Sequence, residues 1–407
     1  MAKTKVIEFM LNAGDGGAET LVKDYALLMD REQFDVSVVV MHEMEDSANL
    51  RRLKEHSIPV IALSSEDDIL KKIWRKVFWK RQQNVLTSED VKEKPVLPGT
   101  MEEKQGIVRS CRHYLRNLYF GMRFLRIVKQ TGADVVHAHL DVLYCLQTVS
   151  QLLKGVQLFH TCHALPELIY EGEEGHAAHH LIQKNRMQLI ALHSDMAKQM
   201  DAMFPEQKTV VIRNGIDLEK FRNPGVTREE KRRELAVPQD AFLVGHVGRF
   251  TPEKNHPFLV EVFREIAERT PNAYLLMVGA GDHSHIEEML CRYGLDGRYR
   301  ILSGRKDINE LLATMDVFVF PSVFEGFGIA LLEAQAAGLR CIASDCCPRE
   351  VVRTKDCIAM PLEAPEKWAQ AAMDPNLQQS EERSLKDYDM KEEIHRLERL
   401  YLGQLDV

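Results

Sequence analysis

Short apolar runs alternate with longer stretches whose apolar residues recur at helical spacing, and this alternation occurs twice along the chain. The first spans about residues 5 to 205. Its runs at Val6–Leu11, Phe34–Met41, Val60–Leu63, Asp134–His139, Gln157–Thr161 and Leu189–His193 are rich in Val, Ile and Leu. Near-continuous apolar runs of this length suit parallel strands covered on both faces. Helices are predicted between them, Glu19–Met29 and Gly106–Lys129 among others. The second alternation spans about 209 to 375. It predicts strands at Phe242–Val247, Tyr274–Val278, Arg300–Leu302, Val317–Phe320, Cys341–Ala343 and Ile358–Met360. Its helices fall at Pro257–Arg269, His285–Tyr293, Glu310–Met315 and Ala330–Ala337. Strands alternating with helices imply βαβ units with right-handed crossovers. The fold class is therefore α/β, with two Rossmann-like doubly wound parallel-sheet domains facing a cleft. Ligands of such sheets bind beyond the carboxyl ends of the strands.

The expected division is an N-terminal domain over 1–210, a C-terminal domain over 211–385, and a tail at 386–407. The tail carries a charged amphipathic helix, Met390–Tyr401, expected to pack back on the N-terminal domain. Residues 64–106 break the rhythm and read as an insertion: a helix, then a polar excursion with Pro95, Pro98 and Gly99. The stretch around His176, His179 and His180 reads as a polar loop, and its ligand spacing is too loose for a metal site.

Charge and composition narrow the picture. A net charge of −8 disfavours a dedicated nucleic-acid binder. The eight cysteines include no C-x-x-C, which suits reduced thiols in a cytoplasmic protein and no structural zinc. No apolar run approaches the ~18 residues of a membrane-spanning helix. Glu8 interrupts the N-terminal apolar stretch, which reads as a first strand rather than a signal peptide.

Candidate chemistry concentrates at strand ends. In Pro321-Ser-Val-Phe-Glu-Gly-Phe-Gly-Ile-Ala-Leu-Leu-Glu-Ala-Gln-Ala-Ala-Gly338, a strand gives way to a glycine-containing loop and then a helix. Gly326 and Gly328 let backbone approach a ligand, and a helix N-terminus favours a phosphate. Glu325 and Glu333 offer carboxylates to sugar hydroxyls. Arg249 and Lys254 follow another strand and could stabilise a developing diphosphate. Gly16 and Gly17 open the first helix, but Gly14-Asp-Gly-Gly-Ala-Glu19 lacks the full dinucleotide fingerprint. His163 closes His160-Thr-Cys-His163 after a strand, whereas His137, His139 and His160 read as structural.

Together these motifs resemble the retaining glycosyltransferases of GT-B fold in their large fourth family (glycosyl transferases group 1), particularly those of bacterial exopolysaccharide and capsule assembly. The resemblance also draws on Val211-Ile-Arg-Asn-Gly-Ile-Asp217, Gly248-Arg249, Val278-Gly-Ala-Gly-Asp282 and Ser303-Gly-Arg-Lys-Asp307. It implies transfer of a hexose or N-acetylhexosamine from a nucleoside diphosphate sugar, UDP favoured, to a glycan or lipid-linked hydroxyl. Arg249, Lys254, Glu325 and His163 would then be catalytic. Glu333 would hold the ribose, the backbone of Phe327, Gly328 and Ile329 would meet donor sugar and phosphate, and the backbone at Gly16 and Gly17 would approach the donor diphosphate or the acceptor. Gly304, Arg305 and Asp307 would lie by the base. No metal or other cofactor is implied. The alternatives are another GT-B enzyme, such as a sugar-nucleotide epimerase or phosphorylase, or a non-catalytic nucleotide-sugar-binding protein.

Two cationic stretches stand out. Lys71–Arg81 holds six cations interleaved with Trp74, Phe78 and Trp79 and suits an anionic membrane surface as well as a solvated helix face. The stretch 107–129 has no acidic residue, and its apolar side is expected to pack in the N-terminal domain's helix layer.

Overall fold

A computed structural model describes residues 2–14, 16–42, 47–64 and 101–405, with side chains in the helix opening at Met101 described from Tyr114 onward. Lys71–Arg81 lies outside the described residues. The chain forms two compact units. The first comprises Met1–Val211 and Glu398–Val407, the second Ile212–Leu397.

The first unit is built on a seven-stranded sheet: β1 (Thr4–Met10), β2 (Phe34–His42), β3 (Val60–Ser64), β4 (Val135–His139), β5 (Gln157–Thr161), β6 (Gln188–Ala191) and β7 (Val210–Val211). The spatial order is β3-β2-β1-β4-β5-β6-β7, and every pair is parallel. Both faces are covered, so strands such as β1 and β2 bury residues of either parity: Val38, Val39, Val40 and Met41 are all inside. Helix Gly17–Leu28 turns Leu21, Val22, Tyr25 and Ala26 inward. Helix Met101–Thr131 buries Phe120, Phe124, Leu125 and Val128, and Phe124 stacks on Phe9 at 4.3 Å. Its Arg123, Arg126 and Lys129 are exposed, so the apolar side of this cationic helix packs inward. Helix Met390–Tyr401 passes from the second unit to the first at Glu398, and Asp30 N–H donates to the Glu398 carboxylate at 2.7 Å.

The second unit has six parallel strands: β8 (Phe242–Val247), β9 (Ala273–Val278), β10 (Tyr299–Leu302), β11 (Val317–Phe320), β12 (Arg340–Ser344) and β13 (Cys357–Met360), in the order β10-β9-β8-β11-β12-β13. Its core joins Val244, Leu259, Phe263, Leu275 and Trp368. The Trp368 indole N–H donates to the Pro361 carbonyl at 2.8 Å, which satisfies its one polar atom.

One local expectation fails. Residues around His176–His180 form not a loop but part of helix Glu173–Asn185. Its buried face consists largely of Ala177, Ala178, Leu181 and Ile182, apolar enough to seat a helix despite the polar majority. His180 bonds Ser150 at 2.9 Å and His179 bonds Glu206 at 3.2 Å.

Strand order reverses between β1 and β4 in the first unit and between β8 and β11 in the second. Loops on either side of such a reversal diverge and leave a crevice at the strand carboxyl ends. Most of the polar side chains considered next lie at or beside these two places; Arg305 and Asp307, past the edge strand β10, do not.

Candidate functional site

In the second unit, β8 delivers Gly248, Arg249 and the turn Pro252–Lys254, while β11 delivers Pro321–Gly328. The Val323 N–H donates to the Glu253 carbonyl at 2.9 Å and ties the two loops together. Lys254 and Glu325 form an ion pair across them. The same Glu325 oxygen accepts from Ser322 Oγ at 2.8 Å, and the Lys254 ammonium stands 5.2 Å from the Phe320 ring centroid. These two side chains are only 17% and 9% exposed, so neither charge is freely solvated. Arg249 is exposed, with Glu253 at 3.9 Å as its nearest acid. Gly279, after β9, is forced by close approach: a Cβ there would lie 1.9 Å from the Gly248 carbonyl oxygen.

Gly328 has φ of +91° and starts helix Ile329–Ala336, a conformation that glycine adopts without strain. Phe327 turns its ring into the protein against Tyr388, 5.7 Å away, so only its backbone faces the loop's other groups. Glu333 is half-buried on the same helix. Burial raises its carboxyl to about 7, and Lys220 opposes the shift.

Arg305 and Asp307 are committed elsewhere. They pair with each other, Arg305 reaches Glu234 at 2.8 Å, and the buried Lys231 joins Asp307, Glu234 and Glu310. The bond from Arg305 holds the Asp307 carboxyl well below its ordinary range. Beside Gly304, at φ +68°, the loop's backbone is therefore what remains for a ligand.

In the first unit, Gly16 caps helix Gly17–Leu28 with ordinary extended geometry (φ −77°, ψ 172°). His163 lies just past β5 and bonds His139 through Nε2 at 2.9 Å. Register explains what stands behind it. Glu8 pairs with His137 across β1 and β4, and His139 pairs with Thr161 across β4 and β5. Alternation then brings Glu8, His137, His139, Thr161 and His163 to one face. Tyr25 and Tyr401 cover that face. Glu8 Oε2 meets His139 Nε2 at 2.7 Å, and Tyr401 donates to Glu8 Oε1 at 3.1 Å. His137 meets Tyr401 Oη at 2.6 Å and Thr161 Oγ1 at 2.7 Å. Glu8 is wholly buried, which raises its carboxyl to about 8; the Tyr401 bond opposes this. Burial pushes His139 down to about 3 and His163 well below the imidazole range, with His139 and His160 adding to the latter. Glu8, His137 and His139 place possible ligand atoms within 4.8 Å of one another. Each of those ring nitrogens already has a protein partner, so the group is a hydrogen-bonded network.

Sequence reading passed over this network. Its signal was present: a lone acid in an apolar strand, and a His-x-His at the end of another. In sum, Lys254 and Glu325 come together, and Glu333 shares their loop's helix. Arg305 and Asp307 join a separate charge cluster within the second unit.

Two doubly wound units with charged groups at a strand-order reversal define a GT-B fold. A solved structure, Anabaena Alr3699/HepE in complex with UDP and glucose, shares this fold: TM-score 0.69 and 19% identity, covering 98% of this chain and 99% of that one. The family described as glycosyl transferases group 1 matches residues 241–374, and glycosyltransferase family 4 matches 85–220. Both matches are to glycosyltransferase families, in separate parts of the chain. It is 31% identical over 236 residues to the putative glycosyltransferase EpsF of Bacillus subtilis, covering 54% of this chain and 59% of EpsF. It is also 31% identical over 239 residues to the UDP-Gal:alpha-D-GlcNAc-diphosphoundecaprenol alpha-1,3-galactosyltransferase of Escherichia coli, covering 54% and 60%. The matches thus span about three fifths of these relatives' length.

Proposed function

We propose that the protein is a retaining glycosyltransferase that moves a hexose or N-acetylhexosamine from a nucleoside diphosphate sugar to a hydroxyl of a glycan or lipid-linked acceptor in cell-surface polysaccharide synthesis. The observation that carries this reading is the Lys254–Glu325 pair at the β8/β11 reversal, beside the left-handed Gly328 and the helix bearing Glu333. Lys254, with Arg249, stabilises the charge that develops on the departing diphosphate. Glu325 accepts from hydroxyls of the donor sugar, and Glu333 from those of the ribose. The backbone of Phe327, Gly328 and Ile329 meets sugar and phosphate. The loop from Gly304 to Asp307 borders the base with its backbone. Gly16, Gly17 and His163 serve the acceptor and the reacting sugar.

A UDP donor is favoured because HepE binds UDP and the E. coli relative is named for UDP-Gal. That relative's diphosphoundecaprenol acceptor supports a lipid-linked one here. Among the described residues no helix is long and apolar enough to cross a membrane. A lipid-linked acceptor would therefore be met by peripheral docking on the inner face of the cell membrane, with Lys71–Arg81 as the candidate contact. Two cations and a helix N-terminus supply the electrostatic work, so no metal is required in this reading. The test is transfer from a panel of nucleotide sugars in excess EDTA, with NMR of the product anomer. Retained configuration and undiminished transfer are expected. Activity that only Mn²⁺ restores, or an inverted linkage, overturns it.

A further inference from the structure

The mechanism above uses His163 but leaves Glu8, His139 and Tyr401 without a task. A carboxyl group with no exposed atom is costly in the middle of a strand, and an aliphatic residue would serve β1 better. Among the described residues, one hydrogen-bonded route joins Glu8 to the surface. It runs from Glu8 Oε2 to His139 Nε2 at 2.7 Å, and from His139 Nδ1 to His163 Nε2 at 2.9 Å. It ends at the Nδ1 of the half-buried His163, which has no hydrogen bond among the described residues. Other groups facing Glu8 hold still. From β4, His137 takes a hydrogen bond from Thr161 and donates to Tyr401; from the C-terminal helix, Tyr401 donates to Glu8. Tyr25 approaches from the first helix, over the two imidazoles, and β2 contributes Val38 beside Glu8 in register. Among the described residues no lysine, arginine or second carboxylate pairs with Glu8.

Two proton arrangements satisfy every bond along this line. With Glu8 neutral, its O–H donates to His139 Nε2, His139 Nδ1–H donates to His163 Nε2, and His163 Nδ1 carries a proton outward. With Glu8 ionised, His139 Nε2–H donates to the carboxylate, His163 Nε2–H donates to His139 Nδ1, and His163 Nδ1 presents a bare lone pair. The two differ by one proton. It enters or leaves at His163 Nδ1 while one proton shifts across each of the two inner hydrogen bonds. Bonds to Thr161, His137 and Tyr401 are the same in both.

We propose that Glu8 is a positioning residue for His163: through His139 it decides which His163 nitrogen is protonated, and it exchanges its own proton with the surface through that imidazole pair. The proposal rests on reading His163 as part of the transfer site. It adds a place for an acceptor proton to go. As the acceptor O–H bond and the donor's anomeric C–O(phosphate) bond break and the new glycosidic C–O bond forms, the nucleoside diphosphate leaves with the bonding electron pair and the acceptor proton passes to His163 Nδ1. The inner protons shift, and Glu8 ends as the neutral acid. Burial of Glu8 and its raised carboxyl place this exchange close to neutral pH.

The experiment uses the full chain with ¹⁵N-labelled histidine, the His163 signals being assigned by their loss in His163→Gln. Between pH 6 and 10 the wild type should show the proton leave His163 Nδ1 and appear on Nε2, in a single step. Glu8→Gln keeps a hydrogen-bond partner for His139 but cannot titrate, and it should hold the low-pH pattern throughout. Tyr401→Phe removes a bond that favours ionised Glu8, and it should move the step to higher pH. A step that survives Glu8→Gln unchanged, or a wild type with no step, overturns the relay. The pH profile of donor turnover is read in parallel, with the same step expected in wild type and absent in Glu8→Gln. If the NMR step depends on Glu8 but no nucleotide sugar is turned over, the relay stands and the transferase reading fails.

Discussion

Both strand-order reversals hold polar groups, within the strands at one and in the loops beyond them at the other, and their chemistry is opposite. At β1/β4 the groups are fully buried, and a carboxyl, imidazoles and a tyrosine satisfy one another by hydrogen bonds. At β8/β11 an ammonium and a carboxylate stand paired at the rim, with an exposed guanidinium nearby. Depth accounts for the difference. Complete burial penalises the charged form, so the first group keeps its protons inside and stays neutral. Partial exposure lets the second group remain ionic, and partial desolvation strengthens what those charges do to an incoming anion. One reversal is built to store or steer a proton, the other to meet a phosphate.

The sharpest way to break this comparison is Lys254→Ala. Loss of one preorganised charge-stabilising group costs about 10²–10³ in turnover. The fold should survive, because the Lys254–Glu325 pair lies at the rim and its removal leaves a carboxylate that water can reach. Turnover on the best donor, with a thermal melt beside it, makes the check. Unchanged turnover removes Lys254 from the site.

The next effect separates the units by pH. In the first unit burial raises Glu8 and Glu174 to about 8, while His137, His139, His160 and His163 are pushed down. A carboxyl raised on folding stabilises below its unfolded value, and that contribution is lost as pH rises toward its folded value. A lowered imidazole stabilises above about 6.5, and that contribution is lost as pH falls. Above pH 6.5 only the carboxyl slope remains, so this unit should lose stability between pH 6.5 and 8. Each titrating carboxyl contributes on the order of 1 kcal/mol per pH unit. In the second unit Glu333, raised to about 7, closes its window sooner. Hydrogen exchange corrected for intrinsic rates, resolved by unit at pH 6.5 and 8, should show the larger loss in the first. Equal losses would mean that depth does not distinguish the two groups.

The same contrast explains what could be read from sequence. β2 was legible because Val38–Met41 is an unbroken apolar run, and the Pro321–Gly338 loop because glycines and acids crowd one strand end. The Lys254–Glu325 pair was legible as two residues but not as a contact, since sheet order, not sequence distance, joins loops after β8 and β11. Glu8 was legible only as a flaw in an apolar stretch. Its imidazole partners lie 129 and 131 residues away and only parallel register brings them to one face, while Tyr401 arrives from the C-terminal helix. Helix Glu173–Asn185 was missed because its buried stripe leans on two alanines beneath a polar surface.

The smallest effects are expected at two glycines that begin helices, and they sharpen the comparison most cleanly. Gly328→Ala meets open space, the nearest atom being Val351 Cγ2 at 3.7 Å, but its φ of +91° strains any side chain. The cost should be about 1–2 kcal/mol. Gly16→Ala meets the reverse situation. Its φ is ordinary, and the new Cβ would lie 2.3 Å from Glu19 Oε2, the free end of a flexible side chain that can turn aside. Alanine is a poorer N-cap than glycine, but it also restricts the unfolded chain, a gain of about 0.4–1 kcal/mol. The net change in stability should be close to zero. A melt that matches wild type, together with weakened binding of donor or acceptor, would show that the missing Cβ at Gly16 makes room for a ligand. Wild-type binding would leave Gly16 as a helix cap alone, and the first unit's contribution would then rest on His163 and the line of groups behind it.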